Sequence, residues 1–464
     1  MKRIDVLPDD VLLEIFDFYM ITVIPFRTMR VTVEAWQPLV HVCHRWRILV
    51  FESRRRLNLR LHCTPETPAR DKLDVWPALP LIVRGSMGSS RLPPSCTDNI
   101  IAALGQTNRV CRVNLWLIRD WQLERVLSAM QVPFSELTDL RLHRIKSSIG
   151  GVLSIPDSFL GGSAPRLRSF FLGGIPFLGL VKLLSSATHL VELSLVDHPH
   201  SGYISPKTMI ALLSVLSSLQ LLILGFRSPQ SHPDWESPSL PPPKRSILPG
   251  LIVLRFKGVT EYLEELVIGI DTPQLVCLST TFFNQIDFDT PRLTQFINCT
   301  PTLTALDEAQ VQFEDDVALV RHEESFEIAI SCREPDWQLS SIEQVCNSFL
   351  DRLSTVEVLY IGHLYSLRVW KNDAIENTLW LRLLLPFTAV KNLYLFKEFA
   401  PGIVAALQEL VGDRITEVLP NLQNIFVQGL EPSGPLQENI GQFVAARRLS
   451  GHPIAISDSL VTRH

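Results

Sequence analysis

The chain has 464 residues, 46% hydrophobic and 20% charged, with a formal net charge of −5, enough to bury one large core or two to three ordinary ones. The acidic balance excludes general affinity for nucleic acid, which needs a concentrated positive field. No apolar run approaches the roughly 18 to 20 residues that cross a bilayer, so no membrane partner is expected, and Asp5, Asp9 and Asp10 break what would otherwise resemble a signal peptide after Lys2-Arg3.

In chain order, Leu7-Pro8-Asp9-Asp10 opens a first helix. Val11, Leu12, Ile15, Phe16 and Tyr19 fall on one broad stripe of a 3.6-residue period. Proline suits a first helical turn, where its missing N–H would be unpaired anyway, and the two carboxylates oppose the positive end of the macrodipole. A second helix is expected from Pro38, lined by Leu39, Val42, Cys43, Trp46 and Val50, with Arg45, Arg47 and Arg54 to Arg56 placing charge at its carbonyl end. A unit this small carries more apolar surface than it can bury by itself, so its stripe wants a partner. The lesser alternative is a cap packed on the rest of the chain.

These residues resemble the F-box, whose order is Leu-Pro, an acidic pair, two helical Leu/Ile positions and then Val-Cys-x-x-Trp. Here the order reads Leu7, Pro8, Asp9, Asp10, Leu12, Ile15, Phe16, Val42, Cys43 and Trp46, across a connection from Met20 to Ala35 that is longer than usual. The resemblance implies that residues 1–56 dock on a Skp-type adaptor, and through it on a cullin-RING ubiquitin ligase. The implied adaptor-binding residues are Leu7, Pro8, Leu12, Ile15, Phe16, Leu39, Val42, Cys43 and Trp46.

Arg54, Arg55, Arg56 and Arg60 read as a solvated helix end, with a phosphate-binding or nuclear-targeting patch as the alternative. After residue 57 a short L-x-x-L-x-L core recurs, at Val110-Val113-Leu115, Leu137-Leu140-Leu142, Leu167-Phe170-Leu172 and on to Leu422-Ile425-Val427. The last two apolar positions of each unit alternate, as in a strand with one buried face, and amphipathic stretches such as Thr208 to Leu219 separate the units. Residues 57–464 are therefore expected to be an irregular leucine-rich-repeat solenoid of alternating strand and helix, giving an α/β fold overall. Intervals run from about 23 to about 34 residues, the longer ones beyond the roughly 20 to 29 of the usual repeat. The F-box followed by such a body resembles the large fungal families of F-box proteins.

Residues 228–250 hold seven prolines and read as an exposed loop, with Pro238 and Pro241 offering at most a weak polyproline ligand. Asp307 to Cys332 alternates over longer stretches, as an inserted hairpin or long strands would. At the end, Phe443 to Leu449 reads as a helix, Gly451 as its left-handed stop, and Pro453 to Ile456 as a last strand.

No nucleophile with its base, phosphate cradle or C-x-x-C pair emerges, and His41, Cys43 and His44 are poorly placed to share a metal. No catalytic residue, metal or cofactor is expected, and the eight cysteines fit buried thiols in the cytoplasm or nucleus. The expected function is that of a substrate receptor, or alternatively of a non-ligase binding scaffold, presenting one sheet face to an unknown protein target. Strand positions between the inward residues nominate Trp116, Arg141, Arg255, Lys257, Tyr360, Tyr394 and Phe426 as target-binding residues, since aromatic and arginine side chains are the usual anchors of interfaces.

Overall fold

The computed structural model describes residues 7–22, 36–75, 77–87, 94–145, 153–229, 245–283, 288–303, 307–323, 325–363, 376–429 and 434–458. The chain divides into two compact units, Met1–Leu193 and Ser194–His464.

The first unit begins with α1 (Asp9–Thr22), α2 (Gln37–Val40) and α3 (His44–Glu52). Pro8 and the Asp pair do start α1, with the Leu12 N–H bonded to the Pro8 carbonyl at 3.1 Å. The expected single second helix is broken. Cys43 lies extended at φ −159° and caps α3, while His41 and Val42 form a turn. Val40, His41, Val42 and Cys43 are four successive weak helix formers, and the carbonyl that the break exposes on Val40 accepts from Arg47 Nε at 3.0 Å. Arg45 and Arg47 consequently sit in the first turn of α3 instead of near its carbonyl end.

Five strands follow: β1 (Leu61–Cys63), β2 (Leu81–Ser86), β3 (Val110–Ile118), β4 (Asp139–Arg144) and β5 (Ser169–Gly173). Each pairs in parallel with the next. The connections rise through helices such as Pro94–Leu104 and Asp120–Ala129, as parallel strands require a crossover. The register stacks Val113, Leu140 and Phe170, then Leu115, Leu142 and Leu172, all at 1% exposure or less. Burying each such side chain is worth about 1.5 to 3 kcal/mol, and the alternating apolar residues are therefore what fix the face.

β6 (Glu192–His198) carries the division between the units. The second unit continues with β7 (Leu221–Phe226), β8 (Ser246–Ile247), β9 (Val253–Gly258), β10 (Ile270–Asp271), β11 (Cys277–Phe283), β12 (Glu308–Phe313), β13 (Val317–His322) and β14 (Phe326–Ser331). It ends with β15 (Val358–Gly362), β16 (Asn392–Leu395), β17 (Asn424–Val427) and β18 (Ala455–Asp458). Its main sheet runs β7-β9-β11-β14-β13-β12-β15-β16-β17-β18, while β8 and β10 pair separately. Of the proline-rich loop, residues 230–244 lie outside the described residues, and its end, Ser246–Ile247, is the strand β8.

The alternating stretch after Asp307 is an antiparallel meander, β12 to β13 to β14. Residues 314–316 are too few for a crossover, so the chain reverses, and parallel pairing resumes on both flanks with β11 and β15. Elsewhere prolines start the connecting helices, at Pro206–Leu213, Pro291–Asn298, Pro335–Ser348 and Pro435–Leu449. The last of these stops at Gly451, whose φ is +85°.

Two buried arginines tie this unit's repeats. Arg352 donates to Asn298 Oδ1 at 2.7 Å, to the Ile297 carbonyl at 2.5 Å and to the Leu303 carbonyl. Arg447, wholly buried, donates to the carbonyls of Ile415 at 3.0 Å and Leu419 at 2.6 Å.

Candidate functional site

Two surfaces gather the residues singled out from the sequence: the N-terminal helices and the outer side of the sheets. In the helical module, Phe16 packs edge-on against Trp46 with centroids 4.7 Å apart, and Trp36 against Phe51 at 5.8 Å. Arg45 grips the start of α1, reaching Asp9 Oδ1 at 2.5 Å and the Leu7 carbonyl at 2.6 Å, and Arg56 pairs with Glu14 and Asp17. Trp36 Nε1 donates to the Arg60 carbonyl at 3.0 Å, fastening the module to the entry of β1.

These contacts divide the nominated residues. Leu12, Phe16 and Leu39 are buried by the chain's own atoms, and Leu7 and Trp46 are half-buried. Pro8, Ile15, Val42 and Cys43 are exposed, Val42 because the helix breaks beneath it. Sequence reasoning missed Phe18 and Ile48, which are 71% and 42% exposed. The signal was present for Phe18: Val11, Ile15 and Phe18 follow an i, i+4, i+7 spacing beside the inward Leu12, Phe16 and Tyr19, so α1 carries two apolar stripes.

On the outer side of the first unit's sheet, Arg112 aligns with Asp139, and Asn114 with Arg141. Arg112 pairs with Asp139 at 3.1 Å, and Arg141 with Glu192 at 3.0 Å and Ser169 Oγ at 3.4 Å. Trp116 stacks on His143 at 5.2 Å and leans on Phe171 at 5.1 Å. Both nominated residues of this unit, Trp116 and Arg141, are half-buried. Sequence reasoning missed Arg84, Arg112 and Arg168, which come from different repeats.

In the second unit Tyr360, Tyr394 and Phe426 occupy one register row and form a ladder of stacked rings, with centroids 4.5 and 4.4 Å apart and planes within 15°. Beside them Asn424 Nδ2 donates to Asn392 Oδ1 at 2.8 Å. Arg255 and Lys257 are exposed on β9, separated from that ladder by the meander and β11. Ser279, in register with Arg255, donates to Glu327 Oε1 at 2.8 Å.

Among the described residues no group of three or more His, Cys, Asp or Glu side chains could hold a metal, and no helix is long and apolar enough to cross a membrane. His198 is buried with Nε2 2.5 Å from the Gly202 carbonyl, and burial pushes its imidazole below the ordinary range. It is a packed core histidine.

No protein-family model and no curated protein sequence matches this chain. Among solved structures, the leucine-rich repeat-containing protein LegL7 from Legionella pneumophila aligns with 85% of this chain and 98% of its own, at 15% identity and a TM-score of 0.28. At that score the strand register and the buried leucine rows described above, and not this likeness, carry the repeat architecture.

Proposed function

We propose that the protein is a non-catalytic receptor, in which the N-terminal helices recruit a Skp-type adaptor and the outer sheet face binds a protein to be ubiquitinated. The observation that carries this reading is the apolar row of Val11, Ile15 and Phe18 along α1, exposed, like Val42 on the turn before α3, on a helical module that already has a buried core of its own. An exposed apolar ridge beside a satisfied core is the mark of a docking surface. The Leu-Pro-Asp-Asp start and the Val-Cys-x-x-Trp order point to the adaptor as its occupant. The receptor does no chemistry itself; it raises the effective concentration of a target lysine near a charged ubiquitin carrier.

The test is reconstitution. The full chain mixed with a Skp-type adaptor and cullin is expected to elute as one complex, and Ile15→Asp with Val42→Asp is expected to weaken it by more than about tenfold, since each buried aliphatic contact is worth about 1.5 kcal/mol or more. Undiminished co-elution of that variant, or none by the wild type, defeats the reading. Capture of the adaptor without cullin would favour a scaffold that works outside a ligase.

A further inference from the structure

In the first unit's sheet, Arg60 immediately precedes β1, Arg109 precedes β3 and Arg168 precedes β5. The equivalent place on β3 belongs to Cys111, whose carbonyl accepts from the Thr138 N–H at 2.9 Å as that of Arg168 accepts from the Glu192 N–H at 2.9 Å, while Arg109 lies two residues earlier and its side chain donates to the carbonyls of Leu79 at 3.1 Å and Pro77 at 2.9 Å. With strands about 4.8 Å apart, Arg60 before β1, Arg112 on β3 and Arg168 before β5 form an array about 20 Å long on the groove wall.

Two adjoining grooves of about 630 and about 470 Å³ run along this end of the sheet and share Arg60 and Thr138. Arg60, Arg112, Arg166 and Arg168 line the larger against Asp139 and Glu192. The smaller adds Arg54, Arg55 and Arg109 against Glu136. All three carboxylates are already claimed: Asp139 by Arg112 at 3.1 Å, Glu136 by Arg166 at 2.7 Å and Glu192 by Arg141 at 3.0 Å. Among the described residues, Arg54, Arg55, Arg60 and Arg168 have no carboxylate partner, and Arg60 meets only the neutral Asn58 side chain, at 3.1 Å.

A chain of net charge −5 thus concentrates uncompensated positive charge along one end of one sheet. His62, on β1, senses the same field: burial first, and then Arg84, Arg60 and Arg112, push its imidazole down to about 4.

We propose that this arginine-lined groove binds an extended peptide segment rich in Asp and Glu. Guanidinium forks match carboxylates two bonds at a time. A single small oxyanion reaches at most one end of an array about 20 Å long, whereas an extended peptide spans it. A nucleic acid strand would bring its unbroken phosphate charge against Asp139, Glu136 and Glu192 in the same wall, while a peptide can set carboxylates opposite the guanidiniums and turn backbone groups to those three. The inference rests on the receptor reading for its biological sense, as the chemistry of the target, and its test involves no adaptor.

The experiment measures fluorescence anisotropy of a labelled peptide of alternating Glu and Ser, on the full chain; about six extended residues cover the array. Arg60→Glu with Arg168→Glu is expected to weaken binding about 100-fold, close to tenfold for each charge-assisted contact, and added salt is expected to weaken the wild type. Arg60→Lys with Arg168→Lys keeps the charge and should lose less than the Glu pair, which keeps the test decisive if the Glu pair fails to fold. Absence of wild-type binding, indifference to salt, equal binding by the folded Glu pair, binding only when the peptide serines are phosphorylated, or tighter binding of single-stranded DNA would each overturn the proposal. Peptide binding without adaptor capture would sink the receptor reading alone.

Discussion

On β3 to β5 the parallel register sets Arg112 beside Asp139 and Asn114 beside Arg141, whereas on β15 to β17 the same kind of register sets Tyr360, Tyr394 and Phe426 in one row and Asn392 beside Asn424. A parallel sheet brings equivalent side chains to about 4.8 Å of one another. Planar uncharged groups gain from that repetition, because rings stack and amides bond in a ladder. Like charges do not, so the arginine rows are interleaved with Asp139, Asn114 and Ser169. The outer face of the second unit's last repeats is thereby satisfied within itself, and that of the first unit keeps a surplus that another molecule can use.

The inner faces should not differ at all. Leu140 and Leu393 are both wholly buried on their strands, and Leu140→Ala and Leu393→Ala should each destabilise the unit that holds them by about 2 to 5 kcal/mol. Hydrogen exchange followed segment by segment under denaturant checks this, because each repeat draws its stability from its neighbours. Were one of the two variants to leave its own unit's protection unchanged, the units could not be described as the same core under different surfaces.

The outer faces should separate. Tyr394 stacks on both neighbours, so Tyr394→Ala removes two ring contacts worth about 0.5 to 1.5 kcal/mol each beyond the area they bury. Tyr394→Phe keeps both and should be close to neutral. A denaturant midpoint that falls as far for Tyr394→Phe as for Tyr394→Ala would place the stabilisation in the hydroxyl and not in the stack.

The inner framework was legible because a period of two with Leu, Val and Phe has few other readings; Val113, Leu140, Phe170 and Leu393 all point inward as expected. The outward direction of Tyr360, Tyr394 and Phe426 followed from the same period, but their stacking did not, since it depends on a register between repeats. The arginine groove was hidden for that reason: Arg60, Arg112 and Arg168 meet only once three separate repeats are aligned. In the meander the alternation of Ala309, Val311 and Phe313 was visible, while the reversed strand order follows from turns too short to cross over. The helical module was the hardest to read. A stripe through Leu39, Val42 and Trp46 looks continuous on paper, and the extended Cys43 turns Val42 out of it.

A pH titration sharpens the contrast in charge. Folded His62 is held near 4 by burial and by three guanidiniums, against 6.5 for a free imidazole. As pH falls through that window the unfolded chain takes up a proton that the folded chain refuses, so stability present above pH 6.5 is progressively lost toward pH 4. His62→Gln removes that term. The drop in the first unit's melting temperature between about pH 7 and about pH 4.5 is expected to be smaller in the variant, and an identical drop would mean that neither burial nor the neighbouring guanidiniums hold this imidazole down.

The smallest effect belongs to Arg141. Its pair with Glu192 joins two side chains that are each 40% exposed, and exposed pairs are worth about 0.2 to 1 kcal/mol because water and salt already solvate both ends. Arg141→Ala should therefore barely move the unfolding midpoint, while it frees the Glu192 carboxylate at the edge of the groove of its cation, leaving it the neutral Ser169 hydroxyl that donates to it at 2.8 Å. A freed carboxylate there competes with an acidic ligand for the remaining guanidiniums, so peptide affinity should fall more than stability does. Glu192→Gln should leave stability equally unmoved and raise affinity, and a pair of variants that shifted binding in the same direction would show that the net charge of this wall does not govern what it holds.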